Sequence, residues 1–461
     1  MYCWSLMALI VSLDAIINKL HPYHKILDSS LWNDILTKSN LPNCTIFSII
    51  LPPRNIPHVV ESSPSTHCQE FNTHLNSIIT SLLYCGKQHL KNKEYDQALA
   101  DFNKLLDIDS KNVSGLNQRG ITFYNMKKLQ NALIDFNKSL KIESNNLVAI
   151  KYRGFTCRMM GKCEEALEYF NKYLQINKKD AHVLYCRGET YYFIKDYEKA
   201  LNDLNNSLKL WPKYTRSLNS IGSVFFTMGK YYDAISYVTK TLEIDQNNCE
   251  ALKIRSSSYY QLQRYHEALS DLGMILKEEP NDKVALCNRG VTFYKLNLYE
   301  NALVELSKSL EINPNNETAL IYRGIAFYEI TNASTSQNKL SSRWLLNNHI
   351  NDYNSAFKNL TESLKIQPNN VIALTYRGKI YFNVDLYEES LYDFKAALKI
   401  HPNNTMALES RSKIYFNMSK YEDARVDLNK LLELNPGNKY AVELLKEPEL
   451  SRCNKKRKIS D

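Results

Sequence analysis

Three short motifs are missing from this 461-residue chain: Cys-x-x-Cys, His-Glu-x-x-His and Gly-x-Gly-x-x-Gly. Without the first two, and with no His-x-x-x-His among ten histidines, the common zinc sites lack ligands at the needed spacing. Without the third, and with no Walker-type loop, there is no glycine-rich backbone to cradle a nucleotide phosphate. No catalytic trio stands out either. The chain reads as a non-enzyme, and no catalytic, cofactor-binding or metal-binding residue is assigned.

Long apolar runs are scarce too. The N-terminus opens with thirteen mostly apolar residues before Asp14 interrupts them, short of the roughly 18 that a membrane-crossing helix needs. It also lacks the basic flank and cleavage site of a signal peptide. A soluble amphipathic helix is expected there, with no membrane partner. The net charge of +9 is modest for this length and forms no continuous basic stripe, which disfavours nucleic acid. Of ten cysteines, Cys85, Cys157, Cys186 and Cys287 lie among apolar neighbours. They are expected to be small buried hydrophobes in a reducing, cytoplasmic or nuclear, compartment.

What the chain does have is a period. Asn281 to Asn316 reads as two short amphipathic segments joined by a tight turn and closed by Asn-Pro-Asn-Asn. In steps of 34 residues, Gly290 recurs at Gly86, Gly120, Gly154, Gly188, Gly222 and Gly324, and at Gly378 after a further 20-residue displacement. Ala302 recurs at Ala98, Ala132, Ala166, Ala200, Ala234, Ala268, Ala356 and Ala424. A fixed period of this size means a repeat array. Ten units follow one another over 79–438: seven of regular length to 316, one from Glu317 to Asn370 carrying an insertion near 331–350, then 371–404 and 405–438.

Within a unit, apolar residues at positions 4, 7–8 and 11 stripe one helix, and those at 17, 20–21, 24 and 27–28 stripe a second. If the turn centres near position 15, residues whose positions sum to about 31 face each other across an antiparallel hairpin. Pro212, Pro280, Pro314, Pro368, Pro402 and Pro436 all stand at position 32, where they stop the second helix. The fold class is all-α.

Position 7 is Arg in eight units, and position 23 opposite it is acidic in six of them. Ion pairs are expected at Arg119–Asp135, Arg187–Asp203, Arg255–Asp271, Arg289–Glu305, Arg377–Asp393 and Arg411–Asp427. Arg153 faces Tyr169 and Arg323 faces Asn359 instead. An arginine ladder for an acidic ligand is the competing account.

Gly120, Phe123, Ala132, Phe136 and Ser139 in one unit, and Gly378, Tyr381, Ser390, Phe394, Ala397 and Pro402 in another, resemble the tetratricopeptide repeat family. The likeness covers about 360 residues. It implies a right-handed superhelical solenoid of antiparallel helix pairs, acting as a protein–protein interaction scaffold or adaptor. It also implies a concave groove lined by positions 2, 5, 6, 9, 12 and 13 of the first helices. The groove candidates for binding a partner peptide or helix are Tyr152, Tyr192, Phe226, Lys253, Tyr260, Asn288, Tyr294, Lys295, Tyr322, Tyr328, Tyr376 and Phe382. Packing between repeats would use the same rings. Charges on this face, among them Lys379, Lys413, Glu329 and Glu409, are sparse and mixed. The family's carboxylate clamp for chaperone C-terminal tails is matched only at Lys253 and Asn288, with Ser257, Thr318 and Tyr322 in the other places, so that partner is disfavoured.

The flanks fall outside the period. Residues 1–78 are an extension of unassigned fold, irregular around the prolines from Pro42 to Pro64. Residues 439–448 read as a helix capping the last repeat, and 449–461 as a basic, disordered tail whose Lys455, Lys456, Arg457 and Lys458 resemble a nuclear-import run. The Ser/Thr/Asn-rich insertion is expected to be a loop, with Trp344 as a candidate contact. The alternatives are a subunit of an enzyme complex whose activity or targeting lies in residues 1–78, and an RNA-binding helical-repeat protein.

Overall fold

The computed structural model describes residues 64–337, 343–447 and 450, with side chains at 73–333, 353–447 and 450. These residues are all-α, with no strand among them. The chain divides into two compact units at Lys179/Asp180. The first contains three antiparallel helix pairs: α1 (Pro64–Lys91) with α2 (Tyr95–Ile108), α3 (Val113–Asn125) with α4 (Leu129–Ile142), and α5 (Leu147–Met159) with α6 (Cys163–Ile176). The second contains seven more. They are α7 (Ala181–Phe193) with α8 (Tyr197–Leu210), α9 (Thr215–Thr227) with α10 (Tyr231–Ile244), and α11 (Cys249–Gln261) with α12 (Tyr265–Glu278). Then come α13 (Lys283–Lys295) with α14 (Tyr299–Ile312), α15 (Glu317–Gln337) with α16 (Arg343–Ile366), α17 (Val371–Asn383) with α18 (Tyr387–Ile400), and α19 (Thr405–Asn417) with α20 (Tyr421–Leu434). The short α21 (Lys439–Leu444) follows, packing on α20. No helix among the described residues is long and apolar enough to cross a membrane.

Each pair is held shut from within. At position 8 a Cβ built on Gly290 would lie 2.6 Å from Leu306 Cγ, and one on Gly120 would lie 2.6 Å from the Phe136 ring. Glycine there lets the first helix rest directly on the position-24 side chain of the second. That side chain is among the most deeply buried: Phe102, Phe136, Phe170, Leu204, Leu306 and Phe394 have no exposed surface. Burial of each contributes about 2–3 kcal/mol. Where position 20 is Ser390 instead of Ala, its hydroxyl donates to the Gly378 carbonyl at 2.6 Å, so the smaller apolar group is replaced without an orphaned polar atom.

Among the described residues, two kinds of cap close most of the turns. At the end of α3 the Lys128 amide returns to the Phe123 carbonyl and the Lys127 amide to that of Tyr124, with Lys127 at φ 60°. This is a Schellman cap, which needs a left-handed residue. Gly161 and Gly229 supply it at no steric cost, while Lys93, Lys195, Gln263, Asn297, Asp385 and Ser419 adopt the same conformation at the corresponding place. After the second helix, the last residue of the unit, Tyr214 excepted, caps the next first helix through its side chain. Asn146 accepts from the Ala149 amide at 3.0 Å, Asp282 from those of Val284 and Ala285 at 2.9 and 3.0 Å, and Asn404 from that of Ala407 at 3.2 Å. The closing Asn-Pro-Asn-Asn of the sequence is thus a helix stop followed by a helix start.

Three expectations change. Where it is described, the insertion is helix and not loop: α15 runs 21 residues and α16 runs 24, against 13 and 14 in α13 and α14, so these residues lengthen the hairpin. The lengthened stem is tied to the next repeat, since Tyr353 and Asn383 both donate to the Asn332 amide oxygen, at 2.9 and 3.2 Å. At the other end, α1 begins at Pro64 and passes through residue 78 without a break, so the boundary expected at 78/79 falls inside a helix. Proline at the first helical position costs nothing, because its missing N–H would be unpaired anyway. Finally, Cys157, Cys186 and Cys287 are buried but Cys85 is exposed.

Candidate partner-binding groove

The arginine ladder is structural. All six expected pairs form, each with the carboxylate nearly buried: Arg119 with Asp135, Arg187 with Asp203, Arg255 with Asp271, Arg377 with Asp393 and Arg411 with Asp427 are two-pronged, at 2.6–2.8 Å. In the sixth, both Arg289 nitrogens converge on one oxygen of the longer Glu305. The third arm reaches back one unit, from Arg119 to Asn103 at 2.8 Å and from Arg323 to Ser307 at 3.3 Å. Arg153 donates to the Tyr169 hydroxyl and lies 4.0 Å over its ring, as the register required. In one of the two units without Arg, where position 7 is Ile221, Tyr237 packs on Phe225 at 5.5 Å.

The aromatic face has a similar logic. Five position-12 rings lean on the first ring of their own second helix: Phe226 on Tyr231, Tyr260 on Tyr265, Tyr294 on Tyr299 and Phe382 on Tyr387, with centroids 5.6–5.9 Å apart, and Tyr192 on Tyr197 at 6.1 Å. Where position 6 of the next unit is Tyr, that ring closes on it edge-first. Tyr124–Tyr152 are 5.8 Å apart, Tyr294–Tyr322 5.3 Å and Tyr328–Tyr376 5.5 Å. Edge-to-face pairs at such distances stabilise by about 1 kcal/mol beyond area. Packing therefore claims much of the candidate set. Tyr328 keeps 5% of its surface and Tyr376 9%, while Tyr152, Tyr192, Phe226, Tyr260, Tyr294, Tyr322 and Phe382 are half-buried. Burial drives the phenols of Tyr152, Tyr260, Tyr294, Tyr322, Tyr328 and Tyr376 above their ordinary range, so they stay neutral donors.

Among the polar candidates, Lys253 is already engaged. Its ammonium meets the Asp282 carboxylate at 2.5 Å, and Asp282 is the cap of α13. This hydrogen bond raises the Lys253 pKa and lowers that of Asp282 against the effect of burial. Asn288 and Lys295 are exposed. The side chain of Trp344 lies outside the described residues, although its backbone belongs to α16. Lys455, Lys456, Arg457 and Lys458 lie outside them altogether.

The sequence reading placed position 2 on this face but took no candidate residue from it. Val284, Ile372 and Met406 stand there, exposed by 51%, 47% and 37%. Where the repeats hold His182, Arg216, Glu250 and Thr318 at this place, the switch to apolar residues was visible in the period. Burial pushes the thiols of Cys157 and Cys287 up to about 11, which keeps these two protonated and unreactive.

Sequence models of the tetratricopeptide repeat match residues 215–248, 284–316 and 407–438. They match no catalytic domain. Among solved structures, a tetratricopeptide repeat protein from Parabacteroides merdae is 18% identical, with 54% of this chain and 99% of that one covered and a TM-score of 0.44. PilW, a type IV pilus biogenesis factor, is 18% identical over 44% of this chain and 94% of its own, with a TM-score of 0.42. YrrB, a TPR protein with an unusual peptide-binding site, is 22% identical over 40% and 95%, with a TM-score of 0.35. No curated protein matches the sequence.

Proposed function

The chain is a tetratricopeptide repeat protein, and we propose from this that it is a non-enzymatic scaffold whose second unit binds an extended peptide or helix of a protein partner. Repeats of this family are a general protein-interaction fold. The reading is carried by one contrast: the recurring residues at positions 7, 8, 20, 23 and 24 are spent on holding hairpins shut, while Val284, Asn288 and Lys295 on one first helix are left exposed. Apolar side chains beside an amide and an ammonium suit a peptide that buries alternate side chains and hydrogen-bonds its backbone. Half-buried Tyr260, Tyr294 and Tyr322 add stiff rings, Tyr294 and Tyr322 being packed edge to face 5.3 Å apart. Such a preformed surface spends little entropy on ordering itself.

The test uses the full chain as bait, with Val284→Asp and Asn288→Ala introduced together. Both residues are at the surface, so the circular dichroism spectrum and unfolding midpoint stay as in the parent. Partners captured by the parent are lost or weakened about tenfold or more, since a charge in an apolar contact and a missing amide each cost on the order of 1–2 kcal/mol. Identical capture by both baits would place binding elsewhere.

A further inference from the structure

Among the lysines on the face shared by the first helices of the second unit, two meet carboxylates, Lys295 is exposed to solvent, and Lys379 is half-buried without an acid. Lys253 meets Asp282 at 2.5 Å and Lys413 meets Glu409 at 2.8 Å. Lys379, at position 9 of α17, has no ion pair and no hydrogen-bond acceptor among the described residues. It is half-buried, with Nζ 5.1 Å from the centroid of Tyr376 and 5.6 Å from that of Tyr328, two rings that are themselves packed edge to face. The charged groups that reach it are Glu329 on α15 and Glu409 and Lys413 on α19, none of them in contact. The Glu329 carboxylate instead faces the Tyr376 hydroxyl at 3.5 Å, and Glu409 is held by Lys413.

The aromatic faces satisfy part of the ammonium's charge but accept none of its hydrogen bonds. Burial accordingly lowers its pKa. Packing does not demand a lysine here, because position 9 elsewhere holds Ser223, Ser257, Val291 and Ile325. An ammonium that costs stability in the free protein, is oriented by two fixed rings and lacks only an anion is organised for one.

We propose that Lys379, on its platform of Tyr328 and Tyr376, receives a carboxylate of the partner peptide, either an acidic side chain or the C-terminal carboxylate. The proposal rests on the peptide-binding reading above. Glu329 is then the competing negative charge that holds affinity for non-acidic segments.

Affinity selection of synthetic random peptides on the full chain tests this, with one library ending in a free carboxylate and one in an amide. In the amide library, retained peptides carry Asp or Glu at one register if a side chain is the ligand. A preference seen only in the free-acid library assigns the C-terminal carboxylate. With Lys379→Met the preference disappears and the selected peptides bind about tenfold or more weakly. With Lys379→Glu the selection shifts to Lys or Arg, and with Glu329→Gln acidic peptides bind more tightly. The unfolding midpoint of Lys379→Met stays at or above that of the parent, which separates lost binding from lost fold. An unchanged acidic preference in Lys379→Met overturns the proposal. Peptides that depend on Val284 but are indifferent to Lys379 overturn it while leaving the peptide-binding reading standing. No retained peptide from either library overturns both.

Discussion

The Arg377 guanidinium closes on Asp393 with two parallel hydrogen bonds, Nε to Oδ2 and Nη2 to Oδ1, each 2.7 Å, and Asp393 is 1% exposed. The pair joins the two helices of one hairpin at their midpoints, and four other units repeat it almost to the decimal. A buried carboxylate is tolerable only with its charge and lone pairs met in this way, and the planar fork of arginine does both. The carboxylate in turn raises the Arg377 pKa against the opposing effect of burial.

Removing one partner strands the other. Asp393→Ala lowers stability by about 3–5 kcal/mol, and Arg377→Met with Asp393→Leu recovers most of that loss. Urea unfolding followed by circular dichroism, with hydrogen exchange over residues 371–404, reads the effect. A loss below about 1 kcal/mol in the single variant would mean that the pair is ornamental.

Arg323 is the same position without a carboxylate. Its Nε donates to the Asn359 amide oxygen at 2.9 Å, and burial lowers its pKa with no acid to oppose it. Asn359→Asp supplies the missing charge where the oxygen already sits, at the expense of the amide bond to the Ser355 carbonyl. The expected gain is about 1 kcal/mol of stability, read as a higher unfolding midpoint. A lower midpoint would show that the Ser355 bond matters more than the charge.

The turn at Gln263 holds a non-glycine residue at φ 59°. Gln263→Gly relieves that strain and raises stability by about 0.5–1 kcal/mol, the steric gain exceeding the added chain entropy. The converse change, Gly161→Ala at φ 75°, lowers it by a similar amount. Opposite signs at two equivalent turns separate backbone strain from any side-chain contact, because a Cβ on Gly161 meets nothing.

Lys379 makes stability depend on pH with a definite sign. A lysine whose folded pKa lies below 10.5 binds fewer protons folded than unfolded, so its charge penalises the native state at neutral pH. The penalty fades as pH rises through the lowered folded value toward 10.5. The stability advantage of Lys379→Met is therefore largest near neutrality and shrinks in alkaline buffer. An advantage that grows with pH would contradict the burial that lowers this pKa.

The hairpin chemistry was legible because a strict period converts spacing into facing. Positions 7 and 23 meet in all eight units that carry Arg, so the Arg–acid pairs, the Arg153–Tyr169 contact and the Arg323–Asn359 contact could be written down from the sequence alone. The insertion was not legible. Its Ser, Thr and Asn residues read as a loop, yet residues 331–350 contain neither Gly nor Pro. Two helices already stood at its ends, so extending them needed no new nucleus and each added residue gained a backbone hydrogen bond. Composition registers propensity and misses that head start.

By itself the order of residues determined the all-α class, the ten hairpins, their internal pairs and their stops, because all of these are contacts at fixed separation along the chain. Only the tertiary structure decided which residues of this face packing takes up and which it leaves exposed. Tyr328 and Tyr376 stand 48 residues apart across the insertion and bury each other, Lys253 is taken by a helix cap, and Lys379 is left with rings and no acid. Those outcomes depend on how closely one hairpin settles on the next, a distance that packing sets and a repeat length does not contain.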